Sequence, residues 1–569
     1  MGVAAAAQLS TTELWIASSQ NTSAVVELPC SAEVGAVFRE FEFVWDTEWL
    51  RWYVDGVVLF EEHIATTNLP GSTEHATENF TVEFEFSGLR SNSISTDAVN
   101  PKHLQIQKLR YSTSDIKDLS CRPRYRSDLT CQPKTPFTPR FGSNQGYLST
   151  DEIPVFQDEI VGMLSSQFTK VEDLGQSLDN RSIQALCLGA CNAEGWVPQT
   201  LYTGMHHSRE NLVYTIDILV ADFLNGDLDA IHLLSSRQLW FILVVNPDGY
   251  ARNEKQQVWK HGEIGQRKNT RPGCSNALDT GVDLNRNYDV CFAVDNIGSN
   301  PDVCAEDYRG PHPFSEPETE AVRRFVERPG RDISAALNYH SYGRYFNVPF
   351  ACESSGVPVG TNGSTFGALA GEMTRYNKFQ YGQPWKDSNL YTVNGETSDW
   401  MWQAHGIFAM SPEVGPDFSV PNDVGFWPPR EQVPALSAEL HYSNVHLARV
   451  SGPMYALEVA SVAVAGDAIR ASLTISNGGL RTGVSSVDMF GSLSLNGSGS
   501  STRVSIPATA FGSSLDSISL DHTLEIPIAG EALQDLPAVY VVLRDSLGCL
   551  IFRICKLLSL NSWDWEMRC

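Results

Sequence analysis

The chain has 569 residues, a formal net charge of -26, and 42% hydrophobic against 19% charged residues. This length suggests about three or four domains, and the composition is that of folded globular proteins rather than disordered chains. The acidic balance argues against a nucleic-acid partner, because phosphate binding requires a basic surface. No run of about 18 apolar residues predicts a membrane span.

Residues 1–112 predict a β-rich module. The stretch 38–60, "FREFEFVWDTEWLRWYVDGVVLF", alternates aromatic and branched residues with period two around the turn dipeptide Asp55-Gly56. With "LQIQKLRYS" (104–112), it resembles the closing strands of the laminarinase-type β-glucanase jelly roll. The carboxylate-bearing catalytic strand of that family is not visible, so we expect a degenerate β module or the remnant of a truncated one rather than a glycan hydrolase, with glycan contact as a candidate role. Residues 113–146, rich in Pro, Ser and basic residues, predict a linker.

Residues 147–452 predict an α/β domain. The run "SRENLVYTIDILVADFL" (208–224) has the apolar spacing of a helix, whereas "QLWFILVV" (238–245) and "ISAALNYH" (333–340) are apolar strands. The motif "NPDGY" is predicted to be the turn that ends the first of these strands. This alternation predicts a sheet with helices on its faces. Residues 453–569 return to strand-like runs spaced by Gly, Ser and Asn, which predict a small β-sandwich.

The twelve cysteines favour disulfides, because no four of them fall in a paired Cys-x-x-Cys zinc spacing. Disulfides predict an extracellular or secretory location. Five Asn-x-Ser/Thr sequons are compatible with that location. The first residues, "MGVAAAAQLSTTELW", have neither the basic n-region nor the leucine-rich h-region of a signal peptide, so they do not support it.

Three His-x-x-Glu pairs occur, where roughly one or two are expected by chance. They are His75-Glu78, His207-Glu210 and His522-Glu525. The first lies in a polar loop, and the third lies in a strand-like run whose positions i and i+3 face opposite sides. The second follows the strand-like "VPQTLYTGM" and opens the predicted helix, so both side chains lie on one face at the C-terminal edge of a sheet. This pair is therefore the candidate for metal binding.

Residues 147–450 resemble the zinc metallocarboxypeptidases of the carboxypeptidase A type. Eight ordered blocks carry the resemblance: His-Ser-Arg-Glu (207–210), "NPDGY" (246–250), "RKN" (267–269), "GVDLNRNY" (281–288), "YRGPHPFSEPET" (308–319), "NYHSYG" (338–343), "YTVNGETSDW" (391–400) and "SPEVG" (411–415). The resemblance implies a mixed sheet with helices on both faces. It also implies hydrolysis of the C-terminal peptide bond of peptides or proteins.

The resemblance implies one Zn²⁺ ion held by His207, Glu210 and His340. Such a His2Glu set leaves an open coordination position, as in catalytic zinc sites. Glu413, just after the strand-like "GIFAMS", matches the general base that activates the attacking water, and a surface carboxylate in a loop is the alternative. Arg267 matches the arginine that polarises the scissile carbonyl and stabilises the oxyanion. Lys268 and Arg271 lie in the same basic run, so the match could slip, and a solvated basic run is the alternative.

Asn285 and Arg286 match the clamp that binds the terminal carboxylate, and Tyr391 matches the tyrosine that closes over it. The resemblance also places three further residues of the histidine and strand motifs in the substrate site: Arg209, Ser341 and Tyr342. Ser398, small and neutral, matches the pocket floor and weakly favours a neutral or apolar C-terminal residue. Glu396 could instead supply a negative charge, so the specificity stays open.

The resemblance further implies a disulfide between Cys274 and Cys304, for which Cys291 could compete. Two other functions are weighed against the peptidase. One is a catalytically inactive carboxypeptidase-like binding protein, and the other is a glycan-binding protein that rests on the N-terminal resemblance alone.

Overall fold

The computed structural model describes most of the chain from residue 141 to residue 557 and six strands before it. The described residues are 13–17, 23–27, 41–45, 49–54, 57–63, 83–85, 141–164, 166, 168–193, 196–209, 215–224, 228–276, 279–352, 361–387, 390–465, 468–482, 486–492, 501–507, 520–527, 538–544 and 550–557. Glu210, the predicted linker up to residue 140, and the strand-like run 104–112 lie outside them.

The N-terminal strands form two three-stranded antiparallel sheets, ordered β2-β1-β6 and β3-β4-β5. The strands are β1 (Glu13–Ala17), β2 (Ser23–Glu27), β3 (Phe41–Trp45), β4 (Trp49–Val54), β5 (Val57–His63) and β6 (Glu83–Glu85). Val54 pairs with Val57, so β4 and β5 form a hairpin across the predicted Asp55-Gly56 turn. The resemblance of this region to a jelly roll stays a prediction.

The central part of the chain contains a nine-stranded mixed sheet, ordered β14-β13-β15-β11-β9-β10-β8-β7, with β12 beside β15. Its strands are β7 (Thr169–Gln176), β8 (Ser182–Gly189), β9 (Gln199–Thr203), β10 (Gln238–Ile242), β11 (Ile333–Asn338), β12 (His340–Ser341), β13 (Tyr345–Asn347), β14 (Gln380–Gly382) and β15 (Phe408–Val414). Strands β10, β9, β11 and β15 are parallel, and β8 and β7 add antiparallel pairs at one edge.

Helices cover both faces of this sheet, as predicted. They are α1 (Glu152–Met163), α2 (Thr215–Leu224), α3 (Leu228–Ser236), α4 (Pro247–Gln256), α5 (Val258–His261), α6 (Pro317–Val326), α7 (Thr361–Met373), α8 (Pro384–Asp387), α9 (Thr397–His405), α10 (Asn422–Phe426), α11 (Val433–Val450) and a 3-10 helix over Leu284–Arg286. In β10, Leu239 and Phe241 join the core formed with α1, α2, α3, α7 and α11, whereas Trp240 and Ile242 join the core formed with α6 and α9. The period-two alternation of a strand thus supplies two hydrophobic cores.

Two local predictions are wrong. The predicted helix over 208–224 does not include the His207 motif: Ser208 and Arg209 form a turn, His207 lies in the loop that follows β9, and the described part of α2 is Thr215–Leu224. The motif "NPDGY" begins helix α4 instead of forming only a turn, because the Asn246 side chain caps the helix by accepting from Gly249 N at 3.0 Å and Pro247 suits the first helical position.

The C-terminal strands form two antiparallel sheets, ordered β16-β17-β20 and β19-β18-β21-β22. They are β16 (Tyr455–Ala465), β17 (Ala468–Asn477), β18 (Ser486–Ser492), β19 (Ser501–Pro507), β20 (Leu520–Pro527), β21 (Ala538–Arg544) and β22 (Leu550–Leu557). Helix α11 ends two residues before the predicted boundary at 452. The packing of the two sheets as one sandwich domain stays a prediction. Within the described ranges, no helix has both the length and the apolar character needed to cross a membrane.

Candidate active site

The carboxyl ends of the parallel strands place three predicted residues side by side. His207 lies just after β9, His340 follows β11 after one residue, and Glu413 lies in β15. His340 and Glu413 are direct partners in the parallel pairing of β12 with β15. Glu413 thus lies within β15, which continues through Pro412 to Val414, and not in the surface loop of the alternative interpretation. All three line one cavity of about 260 Å³.

The two histidine rings face each other through their Nδ1 atoms, which are 3.1 Å apart. Both side chains are buried. His207 Nε2 lies 3.0 Å from Asp283 Oδ1, and because an ionised carboxylate only accepts, Nε2 carries the proton. The lone pair of His207 Nδ1 therefore points at His340. His340 Nε2 lies 3.2 Å from the side-chain amide nitrogen of Asn285.

Asp283 is a fully buried carboxylate that connects the histidines to the arginines. Besides His207, it accepts from Arg267 Nε at 2.9 Å, and Arg286 Nη1 lies 3.8 Å away. Burial alone would raise the pKa of Asp283, but Arg267, Arg286 and His207 outweigh burial and hold this pKa well below its ordinary value. Asp283 is thus a permanent anion that orients three neighbouring side chains. Sequence reasoning missed it, although it stands in the "GVDLNRNY" block two residues before Asn285.

The three basic residues of the "QRKNTR" run have different surroundings. Arg267 lines the cavity. Lys268 Nζ instead donates to the backbone carbonyls of Asp279 and Ala305, and Arg271 Nε donates to Glu316 at 2.6 Å. The structure therefore separates Arg267 from its two neighbours, and it does not present the run as a solvated basic patch.

Asn285 and Arg286 also line the cavity, where the 3-10 helix positions them. The side-chain oxygen Oδ1 of Asn285 accepts from Thr397 Oγ1 at 2.7 Å and from Thr397 N at 3.1 Å. Arg286 is 2% exposed, and Tyr391, 56% exposed, has its ring centroid 5.8 Å from the Arg286 guanidinium carbon. A buried guanidinium under an exposed aromatic ring suits an incoming carboxylate.

The remaining substrate candidates line the same cavity. Arg209 Nη2 lies 2.8 Å from Glu306 Oε1, and its guanidinium stacks 4.3 Å from the Phe426 ring centroid. Tyr342 donates its hydroxyl to Asn422 Oδ1 at 2.6 Å, beside the buried Ser341.

Ser398 lies at one end of the cavity, bonded to Ser411 Oγ at 2.7 Å. Two buried carboxylates flank it, those of Glu396 and Asp399. Sequence reasoning considered Glu396 but not Asp399 or Ser411, whose positions depend on how α9 packs against β15.

No group of three or more His, Cys, Asp or Glu side chains within the described ranges is placed to hold a metal ion. The predicted third ligand, Glu210, lies outside those ranges. Of the three predicted zinc ligands, the structure therefore describes two, His207 and His340, whose rings face each other.

All six cysteines of the described central region are disulfide-bonded. Cys274 pairs with Cys304 as the family resemblance implied, and Cys291 does not compete because it pairs with Cys352. A third bond joins Cys187 to Cys191.

Comparison with known proteins agrees with this geometry. Residues 159–442 match the family described as zinc carboxypeptidase, and the chain therefore contains a domain of the zinc carboxypeptidase family. Members of this family are zinc enzymes.

Among curated relatives, carboxypeptidase A5 of Macaca fascicularis is 29% identical over 284 residues, which cover 48% of this chain and 61% of that protein. Carboxypeptidase A1 of Rattus norvegicus is 29% identical over 267 residues, which cover 45% and 59%. The chain thus spans about three fifths of the length of these relatives. A solved structure, carboxypeptidase A from Helicoverpa armigera, is similar with a TM-score of 0.46 and 22% identity, over 56% of this chain and 76% of that one.

Replacing Asp283 with Asn tests its role as the anion of the site. The variant leaves Arg267 and Arg286 buried without their carboxylate, so we expect a loss of about 3 kcal/mol or more in the free energy of unfolding at neutral pH. Because the folded pKa of Asp283 lies below its ordinary value of 3.8, its stabilisation is complete above that pH and is lost as the pH falls through the folded pKa. The difference in the free energy of unfolding between the wild type and the variant, measured by urea unfolding, should therefore narrow below about pH 3.8. A gap that is small or independent of pH would contradict this role.

Proposed function

We propose that this protein is a zinc-dependent metallocarboxypeptidase that removes the C-terminal residue of peptides or proteins. The observation that carries the proposal is the cavity itself. It brings the facing ring nitrogens of His207 and His340 together with the buried guanidinium of Arg286 and the carboxylate of Glu413.

The histidine pair fits a zinc ion. Two nitrogens bound to one tetrahedral zinc at about 2.0–2.1 Å lie about 3.3 Å apart, close to the 3.1 Å between the two Nδ1 atoms. Asp283 supports the fit, since a carboxylate on the outer nitrogen of a histidine ligand fixes its tautomer and orientation. Glu210, three residues after His207, is the proposed third ligand. When bound, the ion supplies Lewis-acid polarisation of the scissile carbonyl and lowers the pKa of a coordinated water.

Arg286 is the residue proposed to restrict cleavage to the C-terminal end of the substrate. Its Nε atom is buried and has no hydrogen-bond partner within the described residues, so a substrate carboxylate would satisfy a donor that is otherwise costly to bury. Asn285 lies beside it, held by Thr397. An internal amide could not pair with the guanidinium fork in this way. Tyr391 is proposed to close over the bound terminus.

Glu413 is proposed as the proton-transfer group. Its place opposite His340 in the β12–β15 pairing puts a carboxylate beside the zinc position, where it can take a proton from the attacking water and deliver it to the leaving amine. Arg267, oriented by its bond to Asp283, is proposed to stabilise the negative charge that develops on the carbonyl oxygen. Arg209, Ser341 and Tyr342 are proposed to contact the substrate on the amino side of the scissile bond.

The wider assignments are also proposals. The disulfides favour an extracellular or secretory location. Residues 147–452 are proposed as the catalytic domain, with a β-rich module before the linker and a β-sandwich after it. The rival readings, an inactive family member or a glycan-binding protein, predict that no metal-dependent release of amino acids occurs.

The zinc assignment predicts that His340→Ala loses most of its bound zinc, because one imidazole ligand is removed. Elemental analysis after dialysis against trace zinc measures this loss. The control is His312→Ala, which changes an exposed histidine whose ring bonds only locally. Retention of one full equivalent by His340→Ala at wild-type affinity would contradict the assignment.

Glu413→Gln is predicted to keep its zinc and lose turnover. Gln preserves the shape of the side chain but cannot accept the proton, so kcat should fall by at least about 10². Glu431→Gln, an exposed carboxylate, serves as the matched control. Near-normal kcat in Glu413→Gln would assign the base to another group.

The clamp assignment predicts that a peptide with a free C-terminal carboxylate is cut far better than its amidated form. Arg286→Ala should lower kcat/KM for the free acid by about 10- to 10²-fold or more, since ionised hydrogen-bonding pairs of this kind are worth about 1.5–3 kcal/mol. The amide should lose much less, because it never formed the ion pair. Mass detection of the released residue measures both rates. Equal cleavage of acid and amide by the wild type would overturn the exopeptidase proposal.

A further inference from the structure

The end of the cavity beyond the proposed clamp is lined by buried hydrogen-bond acceptors. Glu396 is 4% exposed and Asp399 is 1% exposed, and both line the cavity with Ser398, Ser411 and Asn347. Thr397, which bonds to Asn285 through its backbone and its hydroxyl, lies between Glu396 and Ser398 in the chain. This acceptor pocket, defined by the five residues Asn347, Glu396, Ser398, Asp399 and Ser411, is therefore adjacent to the clamp.

Glu396 is a buried carboxylate without a cationic partner in the described part of the chain. Oε2 accepts from Asp399 N at 2.9 Å, and Oε1 accepts from Ser411 Oγ. The first contact caps helix α9. Capping explains one bond of a group that can accept about four, and shorter side chains are the usual residues for this purpose. Because a buried charge is costly unless it is paired, the remaining capacity of Glu396 requires a donor.

Asp399 does not have the same open capacity. Its two oxygens each accept from Ala351 N at 2.9 Å, and Oδ2 also accepts from Cys352 N at 3.3 Å. Burial and then the nearby charge of Glu396 raise the pKa of Asp399 well above its ordinary value.

Asn347 adds a second acceptor to the pocket. Its side-chain carbonyl oxygen is buried and has no hydrogen-bond partner within the described ranges. The neighbouring wall is apolar and is formed by Val348, Pro349, Pro384, Leu390 and Val393. An apolar wall with acceptors at its end matches a long aliphatic stem that carries a cation.

The type of C-terminal substrate residue that fits the pocket follows from the cost of burying these acceptors without hydrogen-bond donors. An apolar side chain would displace water from Glu396 and Asn347 without replacing its hydrogen bonds. A guanidinium or ammonium group would supply several donors and the missing positive charge. The small Ser398 leaves room for such a group to reach Glu396.

We infer that the acceptor pocket selects peptides that end in arginine or lysine, with Glu396 as the residue that recognises the cation. This inference rests on the proposed function for its use in catalysis. It reverses the weak preference for neutral or apolar residues that Ser398 alone suggested. The determinant is the residue two positions before Ser398, whose side chain folds back over the start of α9.

Two isosteric peptide pairs test the inference. One pair ends in arginine or citrulline and the other in lysine or norleucine, so each pair differs in the charged group while the length is nearly constant. Wild-type enzyme should cut the charged member with kcat/KM about 10- to 10²-fold higher. Equal rates, or faster cleavage of the neutral members, would overturn the inference while leaving the carboxypeptidase proposal intact.

Glu396→Gln should reduce the arginine-to-citrulline ratio at least about tenfold, since Gln can still accept from Asp399 N but carries no charge. The control is Glu439→Gln, which removes a carboxylate from a surface ion pair with Arg344 and should keep the wild-type ratio. An unchanged arginine-to-citrulline ratio in a folded Glu396→Gln variant would show that another group recognises the cation.

A binding experiment separates this inference from the proposed function. Calorimetry on the wild-type protein should show N-acetyl-L-arginine binding at least about tenfold more tightly than N-acetyl-L-citrulline. If no peptide is cut but this difference persists, the peptidase proposal fails and the pocket assignment stands. If the two compounds bind equally, the pocket assignment fails whatever the turnover.

Discussion

The candidate site depends on one buried anion. Asp283 has no exposed surface, and its two oxygens contact His207 and Arg267, with Arg286 nearby. A carboxylate in this position would be unstable alone, and three positively charged or proton-donating groups would repel one another without it. The mutual requirement explains why His207, Arg267 and Arg286 occur in one arrangement around Asp283. Their geometry is fixed before a substrate arrives, which is the condition for electrostatic stabilisation without reorganisation.

Sheet register provides the second constraint. His340 and Glu413 are far apart in sequence but are partners across β12 and β15. In parallel strands such partners share one edge of the sheet, so the strand pairing brings the proposed zinc ligand His340 and the proposed base Glu413 together. The facing side chains need no long loop to hold them.

Much of the fold and of the candidate site could be predicted from the sequence. The ordered motifs contain most of the predicted cavity residues, and the apolar runs indicate the strands. Positions that depend on tertiary contacts could not be predicted. Periodicity does not locate where a helix begins, and Ser208 and Arg209, which the prediction placed in the helix, form a turn. Pro412 suggested that the strand had ended before Glu413, but proline is tolerated in β15 opposite Phe346 near the sheet edge. Asp283 lies within one of the ordered motifs, but nothing in the sequence indicates its burial beside His207, Arg267 and Arg286. Ser398 matched the pocket floor and Glu396 was the alternative, and the sequence could not show that both side chains bond to Ser411.

The glycine between the clamp and the pocket has a consequence for how this family can diversify. Gly395 has φ +75°, and a Cβ atom there would lie 2.4 Å from the Arg286 carbonyl oxygen. Its backbone also accepts from Tyr288 N at 3.1 Å and donates to Val290 O at 3.1 Å. The proposed clamp and the proposed acceptor pocket are thus joined with no space between them. Selection can exchange side chains within the pocket, but a substitution at Gly395 would displace both recognition elements together. Side-chain changes at Glu396 and Ser398 are therefore expected to alter the proposed pocket alone, whereas a change at Gly395 would move the proposed clamp as well.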